Sequence, residues 1–365
     1  MKNLQEAVQV KAPTFFSNIQ GLRAIAALMV MLFHMAPIET KYFGSHWIPE
    51  YFAHYGMAGV DLFFVISGFV MVRAAADRYG SLAAAIEFIA RRAVRIYPVY
   101  WVYTTIMLIV LLASPTMVNS MSLAHEDVLA SFTLLPTHGA RLLPQAWTLT
   151  YELYFYVVFT CLIALCSART LPVALLAWSC IILLAREIPG VSTSLWLGLL
   201  TDPMVLEFIA GALAAVAISA VGRNIGWVIL AGGTAGFAIQ FFFGAALSES
   251  QVAAWRSALF GLPSLLWVLG AALIEKHSAV RAPRWLCVIG DASYTLYLTH
   301  IVVASIVARL LVRILGFGHI SLVGTLLCTI SVVCIATMAY RLIEYPLHRL
   351  SRRTFAKIRT SPVAG

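Results

Sequence analysis

Ten stretches of apolar residues recur along this chain, each about long enough to cross a lipid bilayer. A helix needs about 20 apolar residues to span the hydrocarbon core, and helices satisfy their own backbone hydrogen bonds there. We therefore predict an all-α, polytopic integral membrane helical bundle of about ten transmembrane helices. The predicted spans are residues 19–36, 58–76, 97–114, 145–166, 171–187, 203–221, 225–244, 257–275, 286–308 and 320–343.

The scarcity of charge supports this membrane assignment. Only 11% of the 365 residues are charged, whereas a soluble domain carries about 25%. If both termini are cytoplasmic, 19 of the 25 Lys and Arg residues lie on the cytoplasmic side, as the positive-inside rule predicts. Topology and contact with anionic lipids thus explain the net charge of +9 without a nucleic acid partner.

The same pattern divides the chain into three parts. These are a cytoplasmic N-terminal segment at residues 1–18, a transmembrane domain at 19–346 and a basic cytoplasmic tail at 347–365. Six cysteines lie in or beside apolar spans without metal-ligand spacing, so we predict neither a metal site nor a disulfide framework.

Arg23 and His34 are ionisable residues inside the first apolar span, where burial of charge is costly. Their separation of eleven residues places them on one helix face, about 16 Å apart along the axis. His34 is a candidate general base at neutral pH, or alternatively an interhelical hydrogen-bonding residue. Arg23 is alternatively an interface anchor whose side chain reaches the headgroups.

Asp61 and Glu152 lie in the outer parts of the second and fourth spans, both of which run from the outside to the cytoplasmic side. The rise per residue places both carboxylates at a depth comparable to that of His34. A carboxylate beside a histidine fixes its tautomer and stabilises the imidazolium. We therefore expect Asp61 or Glu152 to contact His34; the alternatives are a helix cap for Asp61 and a purely structural role for Glu152.

The block from Arg91 to Pro98 is a candidate anion site on the cytoplasmic side. In a helix, Arg92 and Arg95 share a face, and paired guanidinium groups bind phosphates. Arg91 and Tyr97 belong to the same block. The alternative is a positive-inside signal that binds lipid headgroups.

Tyr294, Tyr297 and His300 recur every third residue in the ninth span and form a polar stripe. The stripe supplies candidate donors to a developing oxyanion, and Trp147 at the start of the fourth span is another. Alternatively, the stripe only joins helices by hydrogen bonds.

Taken in order, these blocks resemble the acyltransferase-3 family of membrane acyltransferases, and most closely its exopolysaccharide acetyltransferase branch. The similarity extends from about Asn18 to Arg349. Gln20 stands where much of the family has Asp; that branch often has Gln, which argues against a catalytic carboxylate there. The matching blocks are Arg23 to His34, Gly59–Phe69, Arg91–Pro98, Trp147–Glu152, Gly290–His300 and Arg341–Pro346.

The resemblance implies a multi-pass O-acyltransferase of the bacterial inner membrane. Its expected substrates are a cytoplasmic acyl-CoA, with acetyl favoured, and a hydroxyl of an exopolysaccharide or lipid-linked glycan; no tightly bound cofactor is expected. The family's invariant histidine maps to His34, its paired arginine to Arg23, and its cytoplasmic arginine pair to Arg92 and Arg95. Direct transfer and an acyl-histidine relay both stay open, as do the acyl group, the acceptor and its side of the membrane, and the oligomeric state.

The expected site follows from these residues. The catalytic candidates are His34, Glu152, Asp61 and Arg23; the donor-binding candidates are Arg91, Arg92, Arg95 and Tyr97; the acceptor or oxyanion candidates are Trp147, Tyr297, Tyr294 and His300. Two alternatives belong to other classes. A flippase of a lipid-linked glycan usually has internal repeats or paired broken helices, and a non-catalytic subunit of a polysaccharide assembly complex would tolerate substitution of His34.

Overall fold

The computed structural model describes residues 16–76, 78–113, 126–222, 225–243, 247–315 and 322–351. Within these ranges the chain forms fifteen α-helices and no strand beyond an isolated bridge between Glu126 and Ala140. The helices are α1 Ser17–Phe43, α2 Glu50–Tyr55, α3 Ala58–Ala74, α4 Leu82–Ala113, α5 Val128–Thr133, α6 Trp147–Leu165, α7 Leu171–Arg186, α8 Leu195–Leu200, α9 Val205–Ala217, α10 Gly226–Phe243, α11 Glu249–Arg256, α12 Leu262–His277, α13 Arg284–Asp291, α14 Ser293–Leu315 and α15 Leu322–Ala339.

Seven helical stretches of the described chain are long and apolar enough to cross a membrane. The prediction of an all-α, polytopic membrane protein is thereby confirmed. The other three predicted spans fall on the shorter helices α3, α7 and α10. A total of ten crossings and cytoplasmic termini stay predictions. The seven stretches are Ser17–Phe43, Leu82–Ala113, Pro144–Leu165, Leu195–Ala217, Ala254–His277, Ser293–Ile314 and Leu322–Ser351.

The two terminal segments are largely outside the described residues. This applies to residues 1–15 of the predicted N-terminal segment 1–18 and to residues 352–365 of the predicted tail 347–365. The described residues 347–351 continue the last helix of the bundle.

Helix α4 begins at Leu82, well before the predicted span 97–114. The block Arg91–Pro98, predicted to be a connection between spans, is therefore the middle of a 32-residue helix. Ala and Arg, which recur from Ala83 to Arg95, are good helix formers, so nothing stops the helix between Leu82 and Pro98. As a result, Arg95 lies inside the bundle rather than in a loop.

One end of the bundle, which we call the arginine end, holds the start of α1 and the end of α3. There the Arg73 guanidinium lies 5.6 Å from the centre of the Phe16 ring. The Gly80 N–H donates to the Ile163 carbonyl oxygen at 2.8 Å, so the last turn of α6 is at the arginine end. The first turn of α6, with Trp147, is therefore at the opposite end.

Helices α3 and α9 touch at their backbones. A Cβ atom on Gly68 would lie 1.8 Å from the Phe208 carbonyl oxygen, and one on Gly211 would lie 1.9 Å from the Val65 carbonyl oxygen. Small residues permit this close approach, which drives helix association in membranes.

A stack of aromatic rings then fixes α6 against α3 and α9. The Phe208 ring of α9 lies 4.3 Å from that of Phe64 in α3 and 4.7 Å from that of Phe155 in α6, measured between ring centres. Such offset-stacked pairs add to the energy of burial. The stack holds Glu152 of α6 opposite Ser67 of α3.

Candidate active site

A cavity of about 110 Å³ lies among α1, α3, α4, α6 and α14. Three ionisable side chains from three helices line it, namely Arg23, Arg95 and Glu152. Charged residues are costly in the interior of a membrane bundle unless a cavity or partner receives them. Hydroxyl groups complete its polar lining, from Ser67, Thr148, Tyr156, Ser293, Tyr294 and Tyr297.

Glu152 accepts hydrogen bonds from a neighbouring helix and from its own helix. The Ser67 hydroxyl of α3 donates to its Oε1 atom at 3.1 Å, and the Tyr156 hydroxyl, one turn along α6, donates to the same oxygen. Both donors bind the same oxygen, which fixes the carboxyl group in place. Glu152 therefore supplies a fixed negative charge that faces the charges of Arg23 and Arg95.

Arg23 is held at the cavity by its neighbour one turn earlier. Its Nη1 atom donates to the Gln20 side-chain oxygen at 3.3 Å, and the Gln20 amide nitrogen donates to Asp291 of α13 at 2.7 Å. The amide serves both partners because it accepts and donates at once. This gives Gln20 a positioning role and places Arg23 on the cavity wall rather than at a lipid interface.

Arg91, Arg92 and Arg95 lie on one helix but have different surroundings. Arg95 lines the cavity, whereas the Arg92 guanidinium lies over the rings of Phe88 and Tyr156, at 5.4 and 5.9 Å from their centres. Arg91 donates to Glu87 at 2.5 and 2.8 Å.

A second cavity of about 440 Å³ lies at the arginine end and is lined by Arg78, Arg91 and Arg92. Arg92 and Arg95 are separated by less than one helical turn, roughly 5 Å along the axis. We call the cavity of about 440 Å³ the basic cavity and the cavity of about 110 Å³ the inner cavity. The two are thus neighbours along α4.

Tyr97, predicted to bind the donor, has another place in the structure. Its hydroxyl donates to the Thr133 carbonyl oxygen at 2.9 Å, at the end of α5. Trp101, one turn further on, donates to the Phe132 carbonyl oxygen in the same way. The two side chains tie α4 to α5, and neither belongs to the lining of the inner cavity.

His34 and His300 form a pair between α1 and α14, with ring centres 5.0 Å apart. Their nearest ring nitrogens, His34 Nδ1 and His300 Nε2, are 3.2 Å apart. The His300 ring lies 6.0 Å from that of Tyr297, which lines the inner cavity. His34 is not itself in that lining, so Tyr297 connects the pair to the cavity.

The hydrogen bonds of this pair fix its tautomers when both rings are neutral. His300 Nδ1 faces the carbonyl oxygens of Tyr297 and Leu296 at 2.8 and 3.2 Å; carbonyls only accept, so Nδ1 carries the hydrogen and Nε2 accepts. His34 Nδ1 lies between that Nε2 and the Val30 carbonyl oxygen, at 2.9 Å, so it is a donor as well. The lone pair of His34 is therefore on Nε2, as a general base requires.

Asp61 is paired with an arginine rather than with His34. Its two carboxylate oxygens each accept a hydrogen bond of 3.0 Å from the guanidinium of Arg256, at the end of α11. Asp61 is fully buried, and Glu207 of α9 is buried beside the pair. Among the described residues, Asp61 therefore pairs with Arg256, and Glu152 binds Ser67 and Tyr156. The expected contact of either carboxylate with His34 is not formed. His300 lies beside His34 instead.

The three aromatic candidates lie at different places. Tyr294 and Tyr297 line the inner cavity, but their hydroxyls donate to the backbone oxygens of Ile96 and Gln145 at 3.0 and 2.9 Å. Trp147 is outside that cavity, partly exposed, and lies 6.0 Å from the Arg256 guanidinium. An oxyanion role for either tyrosine would require its hydroxyl to turn.

Sequence reasoning missed Arg256, Ser67 and Tyr156. Arg256 directly precedes the eighth apolar span, and nothing in that position predicts its pairing with Asp61. Tyr156 follows Glu152 by four residues, and that spacing on a helix is a usable signal for a hydrogen-bonded pair. Ser67 carries no signal beyond its place in an apolar span.

Comparison with known proteins places the chain among membrane acyltransferases. A family described as an acyltransferase domain matches residues 16–341. The exopolysaccharide production protein ExoZ of Rhizobium meliloti is 32% identical over 345 residues, which are 92% of this chain and 99% of ExoZ. The acyltransferase MdmB of Streptomyces mycarofaciens is 26% identical over 92% of each chain.

A more distant relative is longer than this chain. The O-acetyltransferase OatA of Staphylococcus aureus is 22% identical over 97% of this chain, but the match spans only 61% of OatA. No solved structure matches the chain.

Proposed function

We propose, from the premise that this chain belongs to the acyltransferase-3 family, that it uses acyl-CoA to acylate a carbohydrate hydroxyl. Family membership and the apolar helices make it a multi-pass membrane O-acyltransferase. The acetyl donor, the acceptor in an exopolysaccharide or lipid-linked glycan, and the bacterial inner membrane belong to the proposal. The name of ExoZ supports the exopolysaccharide acceptor.

The observation that carries the proposal is the pair of adjoining cavities along α4. The basic cavity with Arg78, Arg91 and Arg92 suits the phosphates of coenzyme A, because guanidinium groups bind phosphate oxygens in a bidentate way. The inner cavity, lined by Arg95 and Arg23, lies about one helical turn further along α4, and a passage between the two cavities is part of the proposal. A pantetheine arm that follows α4 would bring the thioester beside Glu152. The arginine end is then cytoplasmic.

The proposed chemistry uses the free lone pair of His34. Nε2 of His34 removes the proton from a sugar hydroxyl, and the oxygen attacks the thioester carbonyl carbon. The tetrahedral intermediate collapses, the C–S bond breaks, and the proton passes from His34 to the leaving thiolate of coenzyme A. Arg95 or Arg23 stabilises the negative charge that develops on the carbonyl oxygen.

An acyl-histidine relay uses the same nitrogen and differs in one observable. In the relay, His34 attacks the thioester first, so coenzyme A is released as a burst without acceptor. Direct transfer releases coenzyme A only when the acceptor is present.

The size of the inner cavity predicts selectivity for short acyl groups. Its volume of about 110 Å³ and its lining by the aromatic side chains of Phe63, Phe64 and Tyr294 favour a short acyl group over a long acyl chain. Each extra methylene that a hydrophobic pocket does not accommodate costs about 1–3 kcal/mol, so kcat/KM for butyryl-CoA should be at least about 10-fold below that for acetyl-CoA.

Release of coenzyme A thiol by the purified full-length protein tests this selectivity and the function itself. The assay uses acetyl-, butyryl- and octanoyl-CoA with O-deacylated polysaccharide from the producing cells as acceptor. Acceptor-dependent release that falls from acetyl to octanoyl is expected. Equal rates for all three donors would contradict a donor tip in this cavity, and no release would contradict acyl-CoA as the donor.

A further inference from the structure

A groove of about 650 Å³ opens at the end of the bundle opposite the arginine end. Its walls are the loop before α6, the first turns of α6, the end of α7, the segment that leads into α8, and the residues before α9. The groove is separate from both cavities described above. The proposed binding of acyl-CoA uses none of the residues that line this groove.

Two aromatic rings form one side of the groove. Trp147 and Tyr151 are one turn apart on α6, with ring centres 5.7 Å apart and planes at 85°. Trp147 is 36% exposed and lines the groove. Exposed aromatic rings of this kind pack against the C–H faces of sugar rings while their polar edges remain solvated.

Polar side chains face these rings across the groove. Asp202 accepts a hydrogen bond of 3.0 Å from the Tyr151 hydroxyl and one of 2.9 Å from the Met204 N–H, which leaves further lone pairs on the carboxylate. Arg186 and His138 are exposed at the rim. A carboxylate acceptor and a guanidinium donor fork together match the neighbouring hydroxyls of a pyranose.

The loop that forms one wall is held in place. Arg141 donates to the carbonyl oxygens of Ala130 and Leu135 at 2.7 and 2.6 Å, and to the Thr150 hydroxyl at 3.0 Å. Binding to a preformed wall avoids the entropic cost of ordering a loop. The groove is therefore built as a site rather than as a gap between mobile segments.

Helix α6 joins this groove to the inner cavity. Its cavity-lining residues are Thr148, Leu149, Glu152 and Tyr156, and its groove-lining residues are Trp147, Thr150 and Tyr151. A molecule in the groove is thus separated from the proposed thioester position by the start of one helix. We propose that the groove binds the acceptor glycan through a pyranose unit that stacks on Trp147 and contacts Tyr151 at its side, an inference that rests on the proposed function.

Equilibrium binding of oligosaccharides tests the groove without requiring catalysis. The ligand is the O-deacylated polysaccharide of the producing cells, cut to oligosaccharides, and the protein is the full-length chain in detergent without acyl-CoA. Trp147→Ala and Arg186→Ala should each weaken binding by roughly 10-fold, from the loss of the aromatic contact and of charge-assisted hydrogen bonds. Their matched controls are Trp196→Ala, an exposed residue of α8 outside the groove lining, and Arg313→Ala, exposed near the end of α14.

The controls should bind like the unaltered protein, and that contrast would support the groove as the acceptor site. Binding that is absent in the unaltered protein, or equal in Trp147→Ala and Trp196→Ala, would overturn it. Acyl transfer measured on the same preparations separates the two ideas. If acyl transfer is intact but Trp147→Ala binds as well as Trp196→Ala, only the groove is rejected as the acceptor site. If oligosaccharides bind but acetyl-CoA is not consumed, the proposed function is rejected.

Discussion

His34→Ala should lower acyl transfer by about 10³-fold while the protein remains folded. A positioned general base contributes roughly 10² to 10⁴ in rate, and His34 is half-buried with its Nε2 lone pair free once Nδ1 has donated. Loss of the imidazole removes the proton acceptor but leaves the arginine cavities intact. We therefore expect kcat to fall with little change in the affinity for acetyl-CoA.

Two substitutions of His300 separate a positioning role from a structural one. In His300→Gln the side-chain oxygen can accept the His34 Nδ1–H as His300 Nε2 does, whereas His300→Leu cannot. Glutamine should keep most of kcat, and leucine should lose about 10- to 100-fold without a change in the KM for acetyl-CoA. Similar kcat values for the two variants, both folded by circular dichroism, would refute a positioning role for His300, and an active His34→Ala would refute the base.

Glu152→Gln should lower kcat/KM by about 10²-fold, even though its shape is conserved. The glutamine oxygen can still accept from Ser67 and Tyr156, so the helix contacts survive. The negative charge is lost, which leaves Arg23 and Arg95 facing each other across a small cavity with one carboxylate fewer, since among the described residues only Glu344 and Asp291 still act on Arg23. Removing one partner of a buried charge network is costly for this reason.

The matched control for this effect is Glu187→Gln. Glu187 is exposed just after α7 and lines none of the three cavities. It should leave the rate unchanged. A normal rate in Glu152→Gln would show that the carboxylate has no electrostatic role, and a rate loss in Glu187→Gln would show that the assay responds to charge at large.

The membrane fold could be predicted because the bilayer itself fixes the length of each span. Seven predicted spans coincide with helices of sufficient length, and three with shorter ones. The start of α4 could not be predicted from hydropathy, because Arg91, Arg92 and Arg95 lower the apolar average of a segment that is still a good helix. Helix propensity, read separately from hydropathy, would have extended it.

Only part of the site could be predicted from the sequence, and the reason is geometric. The rise per residue gives the depth of Asp61, Glu152 and His34, but it does not say which helix faces which. Asp61 thus pairs with Arg256, 195 residues away, and His34 with His300, 266 residues away. Because the three groups share a depth, all were candidates for one cluster. In the structure they belong to three separate places, namely the pair with Arg256, the inner cavity and the pair with His300.

Calorimetric titration of the full-length protein with acetyl-CoA tests the central claim most directly. The double variant Arg92→Ala/Arg95→Ala is the comparison, because Arg92 lines the basic cavity and Arg95 lines the inner cavity. We predict binding by the unaltered protein and at least a roughly 10-fold loss in the double variant, since hydrogen bonds to charged groups contribute about 1.5–3 kcal/mol each. No binding by the unaltered protein, or equal binding by the double variant, would contradict a donor site along α4.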